Sequence, residues 1–255
     1  MVISIVNQKG GVAKTTTTLA LGAFLHGKGR KVLFVDLDSQ CNLTHTIGIQ
    51  ETGPTVLDIM DHKELAGDAV VHTEWGDVIP STGNLAIADT HFVDFARAYH
   101  LKEALENIQD GYDYILVDTP PSLGVLTMNA LTASNSLVIP AQADRYSLEG
   151  VAQLYQTIDV IRKYSNPHLK VLGILITRYT NRSILRRTVA ETLGQVAEAR
   201  DTHLFEARIR ECVAISEAQT KGTDIFSYNK RSNATQDYQA FGMEFLSMVE
   251  EKKKK

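Results

Sequence analysis

The sequence lacks any apolar run that approaches the ~18 consecutive residues of a membrane span. Cysteine is scarce: Cys41 and Cys212 are the only two in 255 residues, far apart and without metal-ligand spacing. An excess of positive charge is also absent, since the formal net charge is -4. These features exclude a disulfide framework and nucleic-acid binding through overall charge, and they predict a cytoplasmic protein with reduced thiols.

Short apolar runs alternate with longer amphipathic stretches. Strands are predicted at residues 2–6, 31–36, 114–118, 136–140 and 171–176, and helices at 14–26, 148–164 and 183–199. The strand runs show no strict alternation, which is typical of strands covered on both faces. The order predicts an α/β, doubly wound fold with a mostly parallel sheet flanked by helices. No repeat or linker interrupts it, so residues 1–255 are expected to form a single domain.

A glycine-containing loop lies between the first predicted strand and the first predicted helix. It consists of Gln8, Lys9, Gly10, Gly11, Val12, Ala13, Lys14, Thr15 and Thr16. A loop in this position aims backbone N–H groups at phosphate oxygens, and the helix N-terminus adds the positive end of its dipole. Residues 9–16 are therefore expected to bind a nucleotide. Lys14 would reach the β- and γ-phosphates, and the Thr15 hydroxyl would ligate Mg²⁺.

The ordinary phosphate-loop pattern G-x-x-x-x-G-K-[ST] fails at both glycines, where Gln8 and Ala13 stand. The pattern that fits is K-G-G-x-x-K-[ST], with a second lysine at Lys9. This resembles the deviant Walker A class of P-loop NTPases, which includes MinD, ParA and the nitrogenase iron protein. The resemblance implies that ATP is the nucleotide and that Lys9 reaches the partner's nucleotide in an ATP-bound homodimer.

Ala13 departs from the glycine that relatives most often carry. A backbone with positive φ at this position would cost alanine roughly 1–2 kcal/mol. A place in the first helical turn would cost it nothing. We expect the helical conformation.

Three aspartates follow predicted strands, at the edge where open α/β sheets bind ligands. Asp36 and Asp38 follow the second strand, and Asp118 ends the third. A hydrophobic strand ending in aspartate is the Walker B arrangement, so Asp118 is expected to hold Mg²⁺ directly or through a water. Asp36 is predicted to support the same metal and Asp38 to orient the attacking water. With Lys9 and Lys14, Asp38 completes the set of candidate catalytic residues.

Four further segments resemble ParA-type partition ATPases. They are residues 118–124, 129–133, 147–150 and 216–218. The resemblance covers nearly the whole chain and is weakest between residues 51 and 97. It implies ATP-dependent dimerisation, non-specific DNA binding and stimulation of the ATPase by a ParB-like centromere-binding protein. Relatives often have proline at the position of Gln219 and arginine at that of Ala214.

Three other classes share parts of the pattern. A MinD-like membrane ATPase needs a C-terminal amphipathic membrane helix, and Tyr238, Phe241, Phe245 and Val249 do lie at helical spacing. Because glutamates accompany them, we expect that helix to pack on the sheet. A reductase like the nitrogenase iron protein would need paired cysteines for a cluster. A non-hydrolysing scaffold would not need the acidic residues at the catalytic positions.

DNA contacts are expected in a stretch that has no acidic residue between positions 178 and 190. Its arginines are Arg178, Arg182, Arg186 and Arg187. Arg182 and Arg186 share one face of a helix, and a dimer would present the patch twice. Arginines that face phosphates bind without reading sequence. The family resemblance also places DNA contacts in this part of the chain, and it implies a nucleoid-associated protein.

Overall fold

The computed structural model describes residues 1–50, 52–180 and 184–253, with side chains as far as residue 250. The strands are β1 (Val2–Ile5), β2 (Val32–Asp36), β3 (Val71–Thr73), β4 (Gly76–Ile79), β5 (Tyr114–Asp118), β6 (Ser136–Gln142), β7 (Lys170–Tyr179) and β8 (His203–Arg210). The α-helices are α1 (Lys14–Gly27), α2 (Asn42–Ile47), α3 (Val56–Met60), α4 (Ala88–His91), α5 (His100–Leu105), α6 (Val125–Ala133), α7 (Arg145–Tyr164), α8 (Ile184–Ala199), α9 (Val213–Thr220), α10 (Ile225–Tyr228) and α11 (Asn233–Lys253).

The strands form one sheet in the order β3-β4-β2-β5-β1-β6-β7-β8. All neighbours pair in parallel except β3 and β4, which are antiparallel. The prediction of a doubly wound, mostly parallel sheet flanked by helices is confirmed. The chain leaves β1 for β2 on one side and later fills the other side with β6 to β8. The loop after β1 therefore lies at the switch point, where such sheets bind ligands.

The five predicted strands correspond to β1, β2, β5, β6 and β7, and the three predicted helices to α1, α7 and α8. Helix α7 begins three residues earlier than predicted because the Asp144 carboxylate caps it, accepting a hydrogen bond from the Ser147 amide. Ser183, the predicted start of α8, lies outside the described residues. Strands β3, β4 and β8 were not predicted.

Both faces of the sheet are covered. All five residues of β2 and all five of β5 are buried. Phe34 of β2 joins the core on the α1 and α11 side, whereas its neighbours Leu33 and Val35 join the core beneath α3, α5 and α6. This is why the strand sequences are continuously apolar rather than alternating.

Helix α11 packs on the sheet, as predicted. Tyr238, Phe241, Phe245 and Val249 are between 0% and 3% exposed, and Phe245 meets Tyr114 of β5 with ring centroids 6.0 Å apart. The apolar face that a membrane helix would present to lipid is thus used in the core. Among the described residues, no helix is long and apolar enough to cross a membrane.

Candidate nucleotide site

The phosphate loop joins the end of β1 to the start of α1 at Lys14. Its backbone takes left-handed conformations at Gly11 (φ 72°) and at Ala13 (φ 66°, ψ 36°). The expectation that Ala13 adopts a helical conformation is therefore wrong. The left-handed residue is what turns the chain from the loop into the helix, a geometry for which glycine is the ordinary choice.

Polar contacts from other elements fix the shape of this loop. The Asn7 side chain accepts a hydrogen bond from the Lys9 amide at 3.0 Å. Gln142 donates to the Gly11 carbonyl at 2.7 Å, and Thr177 donates to the Val12 carbonyl at 3.0 Å. Strands β6 and β7 thus hold the loop from one side. Neither Gln142 nor Thr177 belongs to a motif that could have been recognised from the sequence.

Lys14 is buried at the base of the loop, 7% exposed, and its ammonium donates to the Lys9 carbonyl at 3.1 Å. Burial lowers the pKa of Lys14, and the carboxylates of Asp118 and Asp38 partly offset this effect. The structure therefore brings Lys14 together with two of the three predicted carboxylates. A cation held in so little water interacts strongly with a phosphate.

Thr15 and Asp118 meet at the position predicted for the metal. The Thr15 hydroxyl donates to Asp118 Oδ2 at 2.6 Å, and the Thr18 hydroxyl lies 3.4 Å from the other carboxylate oxygen. Asp118 is fully buried and sits opposite Asp36 in the parallel register of β2 and β5. Burial, followed by repulsion from Asp36, raises the pKa of Asp118 to about 8.

Such a site fits Mg²⁺. The two side chains offer oxygen atoms, which Mg²⁺ prefers, and a divalent cation would offset the charge of the buried carboxylate. Within the described ranges, no group of three or more His, Cys, Asp or Glu is arranged to hold a metal by itself. This agrees with a metal bound by one carboxylate, one hydroxyl and the phosphates of a nucleotide.

Asp36 is fully buried and does not line the cavity into which the phosphate loop opens. Its Oδ2 accepts hydrogen bonds from the Thr44 amide at 3.0 Å and the Thr44 hydroxyl at 2.7 Å, and its Oδ1 accepts from the Asp38 amide at 3.1 Å. Burial raises the pKa of Asp36 to about 6, although these hydrogen bonds oppose the rise. The contacts indicate that Asp36 positions the Asp38 segment and the start of α2. Its predicted support of the metal stays a prediction.

Asp38 does line the cavity. Its side chain is 7% exposed, and one oxygen accepts a hydrogen bond from the Gln40 amide at 3.0 Å. The other carboxylate oxygen has no hydrogen bond in the described part of the chain. A carboxylate held by one oxygen beside Lys14 can accept a proton or orient a water.

Lys9 lies at the rim, where its ammonium forms an ion pair with Asp144 at the start of α7. Partial burial of Asp144 opposes ionisation. The Lys9 ammonium and the Ser147 amide outweigh this effect, so the pKa of Asp144 lies below its usual value. The two lysines therefore occupy different positions: Lys14 is buried at the base of the loop, and Lys9 is half-buried at its edge.

The loop opens into a cavity of about 720 Å³. Its far wall comes from β7, β8, α9 and α11, elements to which the sequence assigned no nucleotide contact. The lining residues missed by sequence reasoning include Arg210, Glu211, Cys212, Ile215, Gln219 and Tyr238. The resemblance of residues 216–218 to ParA-type ATPases is the one sequence signal that points to this wall of the cavity.

The predicted DNA-binding arginines fall into different environments. Arg178 lines the cavity, has φ 48° and pairs with Glu211 at 2.6 Å. Arg186 donates to the Arg178 carbonyl at 2.9 Å. Arg187 is exposed on α8, and Arg182 lies outside the described residues. No single exposed arginine patch is therefore defined by the described residues.

Comparison with known proteins places this site in a family. A family model described as an AAA domain matches residues 1–171. The chain is 41% identical to the sporulation initiation inhibitor protein Soj of Bacillus subtilis, over 93% of this chain and 94% of that protein. It is 37% identical to the chromosome partitioning protein ParA of Myxococcus xanthus, over 96% and 87%.

A solved structure agrees in fold. The crystal structure of cobyrinic acid a,c-diamide synthase from Mycobacterium smegmatis with bound ADP and magnesium has a TM-score of 0.83. It is 33% identical and covers 98% of this chain and 95% of its own. The sheet, the two-lysine loop and the buried carboxylate together define a P-loop ATPase of the deviant Walker A class. The chain belongs to the ParA/Soj family of partition ATPases, and its nucleotide and metal are ATP and Mg²⁺.

Proposed function

We propose that this ATPase dimerises on ATP, binds DNA non-specifically in that state and hydrolyses ATP faster when a ParB-like centromere-binding protein engages it. The observation that carries the proposal is the two-lysine phosphate loop, with Lys14 buried beside Asp38 and Asp118 and Lys9 at the rim. The partition proteins among its relatives support the same function. We place it in the cytoplasm, associated with the nucleoid.

In this proposal the loop residues Gly10, Gly11, Val12, Ala13 and Thr16 surround the phosphates. Lys14 transfers its hydrogen bond from the Lys9 carbonyl to a phosphate oxygen, which neutralises charge at the β- and γ-phosphates. Thr15 and Asp118 would hold Mg²⁺, which when bound would neutralise phosphate charge and orient the phosphates. Asp38 orients the attacking water through its uncommitted oxygen, and Asp36 keeps the Asp38 segment in place.

Lys9 supplies the link to the dimer. Its pairing with Asp144 within one chain leaves it near the surface of the loop, from which a four-carbon stem can reach a neighbouring molecule. We infer that ATP-bound protomers exchange this intramolecular pair for a contact with the partner's nucleotide. Hydrolysis then removes the γ-phosphate and weakens the dimer, so DNA binding follows the nucleotide state.

The first test separates binding from hydrolysis. Lys14→Ala should abolish ATP binding, because the phosphates lose their buried counter-charge. Asp38→Ala should leave binding near the wild-type level and slow phosphate release by two orders of magnitude or more, the usual range for a group that assists proton transfer. Calorimetry for binding and a phosphate-release assay measure both effects. Wild-type hydrolysis by Asp38→Ala would show that its assigned role is wrong.

A further inference from the structure

Helix α1 begins at Lys14, which four consecutive threonines follow, and the hydroxyls of three of these threonines are hydrogen-bonded to groups that can accept their protons. Thr15 donates to Asp118, Thr18 donates to the Lys14 carbonyl at 3.0 Å, and Thr17 pairs with the buried Tyr238 hydroxyl at 3.3 Å. These contacts tie the start of the helix to β5 and α11.

Thr16 is different. Its hydroxyl oxygen accepts a hydrogen bond from Gln219 Nε2 at 3.2 Å, and no protein acceptor for its own proton occurs among the described residues. An amide N–H can only donate, so it occupies a lone pair of the hydroxyl and leaves the proton directed elsewhere. Both side chains line the 720 Å³ cavity, so an acceptor located there can take that proton.

We propose that Gln219 is a positioning residue for the nucleotide: it orients the Thr16 hydroxyl so that its proton points to a phosphate oxygen. This inference rests on the proposed binding of ATP at the phosphate loop. Gln219 lies in the last turn of α9, so it couples that helix to the loop from the opposite wall of the cavity. No direct contact between Gln219 and the nucleotide is required.

The position of Gln219 also offers a spectroscopic readout. Gln219 and Thr16 line a second, small cavity together with Trp75, the one tryptophan of the sequence. Trp75 is partly buried against the hydrophobic core on the α1 and α11 side of the sheet. A change at the Thr16–Gln219 contact therefore occurs beside the single tryptophan, whose emission can be excited selectively, so nucleotide binding can be followed without a label.

The test changes the direction of this hydrogen bond. Gln219→Leu removes the donor, and Gln219→Glu replaces it with a carboxylate that can only accept, which draws the Thr16 proton away from the nucleotide. We expect ATP binding to weaken several-fold in the first variant and more than tenfold in the second, the scale of a hydrogen bond to a charged group. Calorimetry and Trp75 emission measure the dissociation constant. Gln236→Leu makes the same chemical change outside the cavity and should bind normally.

A double-mutant cycle separates positioning from a general effect of α9. In a Thr16→Val background the Gln219→Leu change should have little further effect, whereas in a Thr16→Ser background it should keep its full effect. Equal losses in both backgrounds, or wild-type binding by Gln219→Glu, would overturn the inference. Failure of the wild-type protein itself to bind ATP would instead contradict the proposed function.

Discussion

Ala13 holds the least favourable backbone conformation of the phosphate loop. Its φ of 66° and ψ of 36° lie in the left-handed region, where an alanine Cβ crowds the following carbonyl. Two hydrogen bonds hold Ala13 in this conformation. The Thr17 amide donates to the Ala13 carbonyl at 2.9 Å, and the Thr177 hydroxyl donates to the Val12 carbonyl. The surrounding hydrogen bonds outweigh the local strain, so the loop is pre-formed at a cost in stability.

Replacing this residue should therefore stabilise the protein. Ala13→Gly is expected to raise the free energy of unfolding by about 1 kcal/mol, because glycine adopts this conformation without strain. Ala23→Gly, within the same helix but in its interior, should lower that free energy by about 1 kcal/mol. Urea unfolding followed by circular dichroism compares the two. A loss of stability in Ala13→Gly would contradict the strain that the geometry implies.

Among the secondary-structure elements, helix α1 packs on the sheet at Gly22. A Cβ built on this residue would lie 2.1 Å from Cζ of Phe34, a fully buried side chain of β2, and 3.2 Å from Leu116 of β5. The absence of a side chain at Gly22 leaves room for the Phe34 ring beneath the helix that carries Lys14, Thr15 and Thr16. Nearer its start, the same helix contacts β5 through the hydrogen bond from Thr15 to Asp118.

Gly22→Ala should accordingly destabilise the protein by about 1–3 kcal/mol, the usual cost of overpacking a core. Gly27→Ala, at the end of the same helix, meets no atom within 4 Å and should be neutral or stabilise by up to about 1 kcal/mol. Thermal and urea unfolding of both variants test the difference. Similar stabilities for the two would mean that α1 is not held against Phe34.

Sequence reasoning succeeded where the signal is local. Continuous apolar runs identified β1, β2 and β5, and the glycines and lysines between β1 and α1 located the loop. It failed where the outcome depends on tertiary contacts: Asp36 accepts hydrogen bonds from Thr44 of the next helix, and Gln219 donates to Thr16 across 203 positions of the sequence. Strand β8 was missed because one of its faces is exposed: the charged Glu206 and Arg208 alternate with the buried Phe205 and Ile209, so the strand lacks the continuous apolar run that identified the others.

For the whole molecule, the proposed dimerisation requires Lys9 to exchange its ion pair with Asp144 for a contact with the partner's nucleotide. Lys9→Ala should bind ATP as a monomer but fail to dimerise, because the contact with the partner's nucleotide is lost. Lys163→Ala, at the other end of α7, removes the same charge and should dimerise normally. Light scattering with a slowly hydrolysed ATP analogue distinguishes a 28.2 kDa monomer from a species of twice that mass. An undiminished dimer in Lys9→Ala would refute the role across the interface.

The net charge of -4 means that DNA can be held only by a local surface, and the start of α8 is the candidate. Arg187 is exposed there, whereas Arg178 is paired with Glu211 and Arg186 is bonded to the Arg178 carbonyl. In the proposed dimer this surface would be present twice. We therefore expect the ATP state, rather than the protomer alone, to determine affinity for DNA.

The most direct test of an ATP-switched partition ATPase is the binding of two unrelated DNA duplexes, measured by fluorescence anisotropy with a slowly hydrolysed ATP analogue and with ADP. We expect equal affinity for both duplexes with the analogue, a steep fall of that affinity with salt, and little binding with ADP. Arg182→Ala combined with Arg187→Ala should weaken this binding, whereas Lys163→Ala combined with Lys170→Ala removes the same charge and should not. Equal binding in ADP and the ATP analogue, or no binding in either, would contradict an ATP-switched partition ATPase.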